Sequence, residues 1–256
     1  MTVDKLSAKL AAYGIKGDLL AIINDFLTDR TQRTRVGSCF SDIIFLTSGI
    51  VQGSCLGPLL FLIFVNDIFT IFEPSITCKM YADDLKLYSI IESNYDNAQM
   101  QICLNNLLSW ANAWQLSISI KKCFAIYIGG RATLNNVLSK CDFNIGNDIV
   151  QRCDSVVDLG ISIDCNLKFS MHVGNIVRKS FIRSSLIHKC FLSKNIPTLV
   201  KAYKTFVLPL LEYNSPVWSP HLLKDINLIE RVQHRFTKRL PGMYGMSYND
   251  RLSVES

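Results

Sequence analysis

Two adjacent aspartates, Asp83 and Asp84, stand between two short runs in which apolar and polar residues alternate. The runs cover residues 76–80 and 85–90. Because successive side chains of a strand point to opposite faces, the alternation predicts two strands joined by a tight turn, with the carboxylates at its tip. Two carboxylates held side by side need a divalent cation or a shared proton to offset their repulsion. The pattern favours a metal-binding hairpin, although Asp is also common in solvated turns.

A glycine-rich segment, residues 48–58, precedes an apolar run from Leu59 to Val65. Pro58 suits the first turn of a helix, and glycines let the backbone approach a ligand closely. Since the N-terminus of a helix favours anionic groups, we predict a loop that leads into a helix and contacts phosphate. A plain turn before a core helix has the same composition. The aspartate pair downstream favours the functional interpretation.

The order and spacing of these segments resemble the reverse transcriptases of non-LTR (LINE-like, jockey-type) retrotransposons. That family has Ser-Gly-x-Pro-Gln-Gly-Ser before a Tyr/Phe-Ala-Asp-Asp hairpin, and this chain has Val51 in place of the proline. The resemblance implies an α/β fold: a partial right-hand polymerase palm, without fingers and first palm strand, followed by a mainly helical thumb. Further stretches that resemble the family are 105–110, 114–116, 121–123, 158–161, 167–172, 211–213, 217–220, 229–233 and 248–252.

The resemblance also implies an activity, that of an RNA-directed DNA polymerase. Asp83 and Asp84 would hold two Mg²⁺ ions during template-directed nucleotidyl transfer. Lys122 would lie near the leaving pyrophosphate, unless it is only a solvated lysine at the end of a strand. The expected partners are an RNA template, a DNA primer and dNTPs, whereas the oligomeric state stays open. The residues expected to line the pocket for template and nucleotide are Gly49, Gln52, Gly53 and Tyr81.

The family has a first catalytic aspartate on a strand upstream of all these motifs. Asp25 follows an apolar run and is a possible substitute, but the apolar residues around it recur at helical spacing, which predicts Asp25 on the polar face of a helix. We therefore expect a fragment that begins just after the first aspartate motif and is inactive without it. Two alternatives stay open: an inactive remnant that still binds nucleic acid, and an unrelated metal-dependent phosphohydrolase.

Positive charge is concentrated in one segment. Residues 165–211 contain eight Lys or Arg and no Asp or Glu, in a chain whose net charge is +6. Residues 229–240 show an apolar stripe at helical spacing with cations opposite it. Such faces are often merely solvated, but behind a palm they are typical of a thumb that follows phosphates. The cations predicted to contact the nucleic-acid backbone are Arg178, Lys179, Arg183 and Arg235.

The predicted organisation has two parts, a palm over 1–130 and the palm end with a basic thumb-like region over 131–256. The most apolar window, 56–72, includes Asn66 and Asp67, which favours a buried helix over a membrane span, and we expect no membrane association. Nine cysteines without a Cys-x-x-Cys pair indicate reduced thiols. We therefore expect an intracellular protein, in the nucleus and/or cytoplasm as a ribonucleoprotein.

Overall fold

The computed structural model of the chain describes residues 2–129 and 142–255. This part of the chain divides into two compact units. Unit 1 comprises 2–125 and 142–152, and unit 2 comprises 126–129 and 153–255. The boundary that the sequence predicts, between residues 130 and 131, lies outside the described residues and stays a prediction.

Unit 1 is built from helices and short hairpins. Its helix α2 contains Asp25, which is exposed as the helical spacing predicts. The glycine-rich segment leads into α3, whose first turn contains Pro58, as predicted. The helices are α1 (Val3–Ala12), α2 (Gly17–Leu27), α3 (Leu56–Val65) and α4 (Asn94–Ala113), with 3-10 helices at Asn66–Ile71 and Ile120–Lys122.

Every sheet in the described part of the chain has two strands. Five of the pairs are antiparallel, and β10 pairs with β7 in parallel. The strands are β1 (Thr31–Gln32), β2 (Arg35–Val36), β3 (Cys39–Phe40), β4 (Ile44–Phe45), β5 (Thr77–Tyr81), β6 (Asp84–Tyr88), β7 (Phe124–Ala125), β8 (Asn144–Ile145), β9 (Asp148–Ile149), β10 (Gln151–Arg152), β11 (Ser155–Asp158) and β12 (Ile161–Asp164).

The main core of unit 1 lies between α1, α2 and α3, where Leu6, Leu10 and Phe64 are fully buried. Lys9 enters the same core. Its ammonium donates to the carbonyl of Phe64 and forms a 2.6 Å ion pair with Asp67. The Nζ atom also lies 3.7 Å from the ring centroid of Trp114. Burial lowers the pKa of Lys9, and the hydrogen bond and charge of Asp67 partly oppose this shift.

Unit 2 is mainly helical, as predicted. Its core joins α5 and α9. The apolar stripe predicted within residues 229–240 is confirmed by burial of Val232 and Phe236, and Val173 and Val177 of α5 are buried in the same core. Prolines occupy the first turns of α6, α7 and α8, where their missing N–H is not needed. The helices are α5 (Ser170–Cys190), α6 (Ile196–Phe206), α7 (Leu208–Glu212), α8 (Ser215–Trp218), α9 (Leu223–Lys238) and α10 (Tyr248–Glu255).

The apolar window at 56–72 forms the ten-residue helix α3 and then a 3-10 helix. None of the helices in the described ranges combines the length and the apolar character that crossing a bilayer requires.

Candidate active site

The predicted hairpin is confirmed. Strands β5 and β6 pair so that Tyr81 lies opposite Asp84, and Ala82 and Asp83 are the two residues of the turn. Ala82 has a φ of 52°, which L residues rarely adopt. Backbone strain of this kind is characteristic of functional sites. One carboxylate therefore belongs to the turn itself and the other to the first residue of the following strand.

One face of the hairpin anchors it in unit 1. Met80 pairs with Leu85 on this face, and Met80 packs against the main core. On the other face, Tyr81 and Asp84 are exposed, as is Asp83 in the turn. The carboxylates of Asp83 and Asp84 form no hydrogen bond or ion pair with the described residues. The apolar face thus fixes the position of the hairpin while both carboxylates stay available to a ligand.

The two carboxylates are hard oxygen donors of the type that Mg²⁺ prefers. The described residues contain no group of three or more His, Cys, Asp or Glu side chains that would enclose a metal ion. Mg²⁺ differs from metals that need such a cage, because it commonly uses one or two carboxylates together with substrate phosphates and water. The exposed pair at the hairpin tip therefore fits a magnesium ion that is shared with a phosphate ligand.

The glycine-rich loop has the backbone conformations that only glycine adopts easily. Gly49 and Gly53 have φ values of 89° and 80°. The Ser54 hydroxyl donates to the Val51 carbonyl at 2.8 Å and accepts from the Gly57 N–H at 3.0 Å. The turn is therefore closed by a serine side chain even though Val51 replaces the proline of the family pattern.

Arg30 holds the beginning of this loop, a role that the sequence did not reveal. Its Nη2 donates to the carbonyls of Gly49 at 2.7 Å and Ser48 at 3.3 Å. Its Nε donates to the carbonyl of Leu27, at the end of α2, at 2.9 Å. One guanidinium therefore ties the loop to a helix of the core. The periodicity of apolar residues cannot predict the contacts of Arg30 with Ser48 and Gly49, because they join a side chain to backbone carbonyls 18 and 19 residues away.

The remaining predicted site residues are Tyr81, Gln52 and Lys122. Tyr81 is the cross-strand partner of Asp84, and Gln52 is exposed in the glycine-rich loop. Lys122 is also exposed, but it ends a 3-10 helix and does not lie on a strand. Among the described residues, no hydrogen bond or ion pair joins Lys122 to the aspartates. Its role near the pyrophosphate stays a prediction.

The predicted backbone-binding cations form an exposed surface in unit 2. Arg178, Lys179 and Arg183 lie on α5, outside its buried stripe, and Arg235 lies on α9 with its guanidinium 5.4 Å from the ring of Phe181. None of the four forms an ion pair with the part of the chain that the structure describes. Their charges are therefore not neutralised within unit 2 and are available to an anionic partner.

Comparison with known proteins agrees with this geometry. The family model for reverse transcriptase (RNA-dependent DNA polymerase) matches residues 1–163. The RNA-directed DNA polymerase from mobile element jockey of Drosophila melanogaster is 26% identical over 238 residues, 88% of this chain and 25% of that protein. The probable RNA-directed DNA polymerase from transposon BS of the same species is also 26% identical, over 84% of this chain and 24% of that protein. A third relative, from transposon X-element, is 24% identical over 86% of this chain.

The chain spans about a quarter of the length of these relatives. The family implies a polymerase palm, and the helices and small sheets of the structure are compatible with that fold. Reverse transcriptases generally use divalent metal ions and act on a nucleic-acid template and nucleotides. The chain belongs to the reverse transcriptase family and is homologous to the RNA-directed DNA polymerases of non-LTR retrotransposons.

Proposed function

We propose that this chain is part of the catalytic region of a retrotransposon polymerase that copies an RNA template onto a DNA primer from dNTPs. The observation that carries the proposal is the two-residue turn that exposes Asp83 and Asp84 on a hairpin anchored in the core. A phosphohydrolase would need further acidic or His ligands, and the described residues supply no such group near the hairpin. Family membership favours a polymerase over the alternatives.

The carboxylates of Asp83 and Asp84 would hold Mg²⁺ at the tip of the hairpin, with Asp83 as the main ligand. When bound, the ion would activate the primer 3′ hydroxyl and stabilise the negative charge of the transferring phosphate. The backbone of the loop at Gly49 and Gly53 has no side chain that would keep a nucleotide or template base at a distance. Lys122 would supply positive charge or a proton to the leaving pyrophosphate.

The basic surface of unit 2 would bind the template–primer duplex. The predicted cations, Arg178, Lys179, Arg183 and Arg235, would contact phosphates and so supply affinity without reading sequence. We also propose that the protein acts inside the cell, in the nucleus and/or cytoplasm as a ribonucleoprotein. The free state of the eight described cysteines is in keeping with a reducing compartment.

The polymerase proposal is tested by nucleotide binding and incorporation on poly(rA)/oligo(dT). We expect purified chain to retain dTTP on this hybrid only when Mg²⁺ is present. Asp83→Asn should abolish that retention, and any incorporation with it, while affinity for the hybrid changes little, because a metal ligand acts at the reacting phosphate and not on the duplex. The absence of Mg²⁺-dependent retention by the unaltered chain would contradict the proposal.

The hairpin β8–β9 provides a matched control. Asp148 is exposed and follows a two-residue turn in the same unit, so its position in that hairpin corresponds to that of Asp84 in β5–β6. Asp148→Asn should leave dTTP retention unchanged, whereas Asp84→Asn should weaken it. If Asp83→Asn instead weakened binding of the hybrid itself, in the absence of nucleotide, the β5–β6 hairpin would be structural and not a metal site.

The duplex-binding surface is tested by salt dependence. Each phosphate contact contributes about −0.7 to −0.9 to the slope of log K against log salt, so the combined change Arg178→Gln, Lys179→Gln and Arg183→Gln should flatten the slope by roughly 2 to 3 units. A control variant removes three exposed lysines elsewhere: Lys16, Lys121 and Lys224, each to Gln. Equal slopes in the two variants would mean that binding follows net charge and not this surface.

A further inference from the structure

Residues 31–45 form an exposed two-stranded ribbon, which we call the arm. At its base β1 pairs with β4, and nearer its tip β2 pairs with β3, with Arg35 opposite Phe40. All fifteen residues of the arm are exposed. The arm thus extends from unit 1 with no described part of the chain covering it.

An aromatic ring and two guanidinium groups meet on the arm. The guanidinium carbons of Arg33 and Arg35 lie 4.2 and 5.4 Å from the ring centroid of Phe40. Arg35 is held further by a 2.8 Å hydrogen bond from its Nε to the carbonyl of Gly37. Neither arginine forms an ion pair with the described residues, and Phe40 is 50% exposed. The ribbon therefore presents flat aromatic and guanidinium surfaces together with positive charge.

The arm also exposes large apolar side chains. Val36, Ile44 and Phe45 are between 65% and 75% exposed. An isolated two-stranded ribbon is only marginally stable in water, so a partner that covered these side chains would stabilise the arm. A protein core that covered it would have to desolvate Arg33 and Arg35, neither of which has an ion-pair partner among the described residues, and this is unfavourable. An unpaired nucleic-acid strand offers bases that stack on such surfaces and phosphates that neutralise the arginines.

The base of the arm lies beside the glycine-rich loop. The N–H of Leu46 donates to the carbonyl of Arg30 at 2.8 Å, and the Arg30 side chain binds the carbonyls of Ser48 and Gly49. The two ends of the arm are therefore joined at Arg30, the residue that also holds the glycine-rich loop. A nucleic-acid strand bound at that loop would lie beside the base of the arm.

We propose that the arm binds the unpaired RNA template strand, and this inference rests on the proposed polymerase function. Template bases stack on Phe40 and on the guanidinium planes, while the template phosphates contact Arg33 and Arg35. Stacking of this kind tolerates any base, so the arm holds the template without selecting its sequence. The surface differs from the basic helices of unit 2, which face the phosphates of the duplex.

The test compares the affinity of the full chain for two RNA–DNA hybrids of equal duplex length, one blunt and one with a 5′ overhang of unpaired template. We expect the overhang to increase affinity by at least about fivefold, the lower end of what one base–aromatic stack supplies. The combined change Arg33→Gln, Arg35→Gln and Phe40→Leu should remove this increase and leave affinity for the blunt hybrid within about twofold. Photocrosslinking of 4-thiouridine in the overhang should label residues 33–40.

A control variant removes two exposed cations and one exposed aromatic residue of unit 1 outside the arm: Lys16→Gln, Lys121→Gln and Tyr95→Leu. It should keep the preference for the overhang. Equal affinity of the unaltered chain for both hybrids overturns the proposal, as does an arm variant that changes only self-association in sedimentation. Salt-sensitive binding of the blunt hybrid reports separately on the proposed polymerase function.

Discussion

The ion pair between Lys9 and Asp67 leads to a prediction about which partner matters more for stability. Lys9 is only 5% exposed and lies in the core of unit 1, whereas the Asp67 side chain is 33% exposed. The change Asp67→Ala leaves a buried ammonium without its counterion. The change Lys9→Met instead leaves a carboxylate that water reaches, and it fills the same space with an apolar chain against Phe64 and Trp114.

The magnitudes follow from these exposures. Removing one partner of a fully buried pair costs roughly 3 to 5 kcal/mol. Because a third of Asp67 is exposed to solvent, we reduce this figure to about 1.5 to 3 kcal/mol for Asp67→Ala. Lys9→Met keeps the volume and should cost about 0 to 1.5 kcal/mol, mostly from the carbonyl of Phe64 that loses a donor. In the Lys9→Met background, Asp67→Ala should add less than about 0.5 kcal/mol.

Urea unfolding followed by tryptophan fluorescence measures these differences, since Trp110 and Trp114 lie next to the Lys9 ammonium. Burial lowers the pKa of Lys9 below 10.5, so between that lowered pKa and 10.5 the unfolded chain binds more protons than the folded chain. Stability in the Asp67→Ala variant should therefore recover as pH rises through this range. Lys16→Met is the exposed control. Equal costs for Asp67→Ala and Lys9→Met, or additive costs in the double variant, would refute the reasoning.

Three further changes test individual features. Arg30→Lys keeps the positive charge but cannot form all three hydrogen bonds that hold the glycine-rich loop. It should weaken Mg²⁺-dependent dTTP retention by about tenfold and leave binding of a blunt hybrid unchanged. Equal loss of nucleotide retention and hybrid binding would indicate misfolding. Gly53→Ala places a side chain at a φ of 80° and should cost roughly 1 to 2 kcal/mol of folding free energy, whereas Gly174→Ala in α5 should not destabilise. Burial lowers the pKa of His172 from 6.5, so stability should fall as pH falls from 6.5 through the folded pKa. His172→Asn keeps an acceptor for the N–H of Ser162 and should flatten this pH dependence in thermal unfolding.

The elements that the sequence predicts well are those that local rules determine. Alternation and turn chemistry predict the turn of the hairpin to within a residue, since the strands end at Tyr81 and begin again at Asp84, while the second strand ends at Tyr88, two residues before the predicted run does. The loop before α3 follows from its glycines and from Pro58. In unit 2, helical spacing predicts the buried stripe within residues 229–240, and the cations opposite it, such as Arg235 and Lys238, are exposed as a consequence.

The features that the sequence does not predict depend on contacts between distant residues. In the sequence, Lys9 looks like a solvated helix residue. Its burial is favourable because of contacts with distant residues, namely the ring of Trp114 and the carboxylate of Asp67, 58 positions away. Arg30 precedes an exposed ribbon, and nothing local indicates that its side chain turns back to the loop. Lys122 ends a 3-10 helix, and the strand β7 begins two residues later, at Phe124.

The φ of 52° at Ala82 restricts which sequences the turn between β5 and β6 tolerates. A β-branched residue strongly disfavours this conformation, while Gly, Asn and Asp adopt it with little strain. Random replacement at position 82 followed by selection for function should therefore return small or Asx residues and exclude Val, Ile and Thr. Ala82 carries no functional group, so a substitution there would act on Asp83 and Asp84 only through the conformation of the main chain.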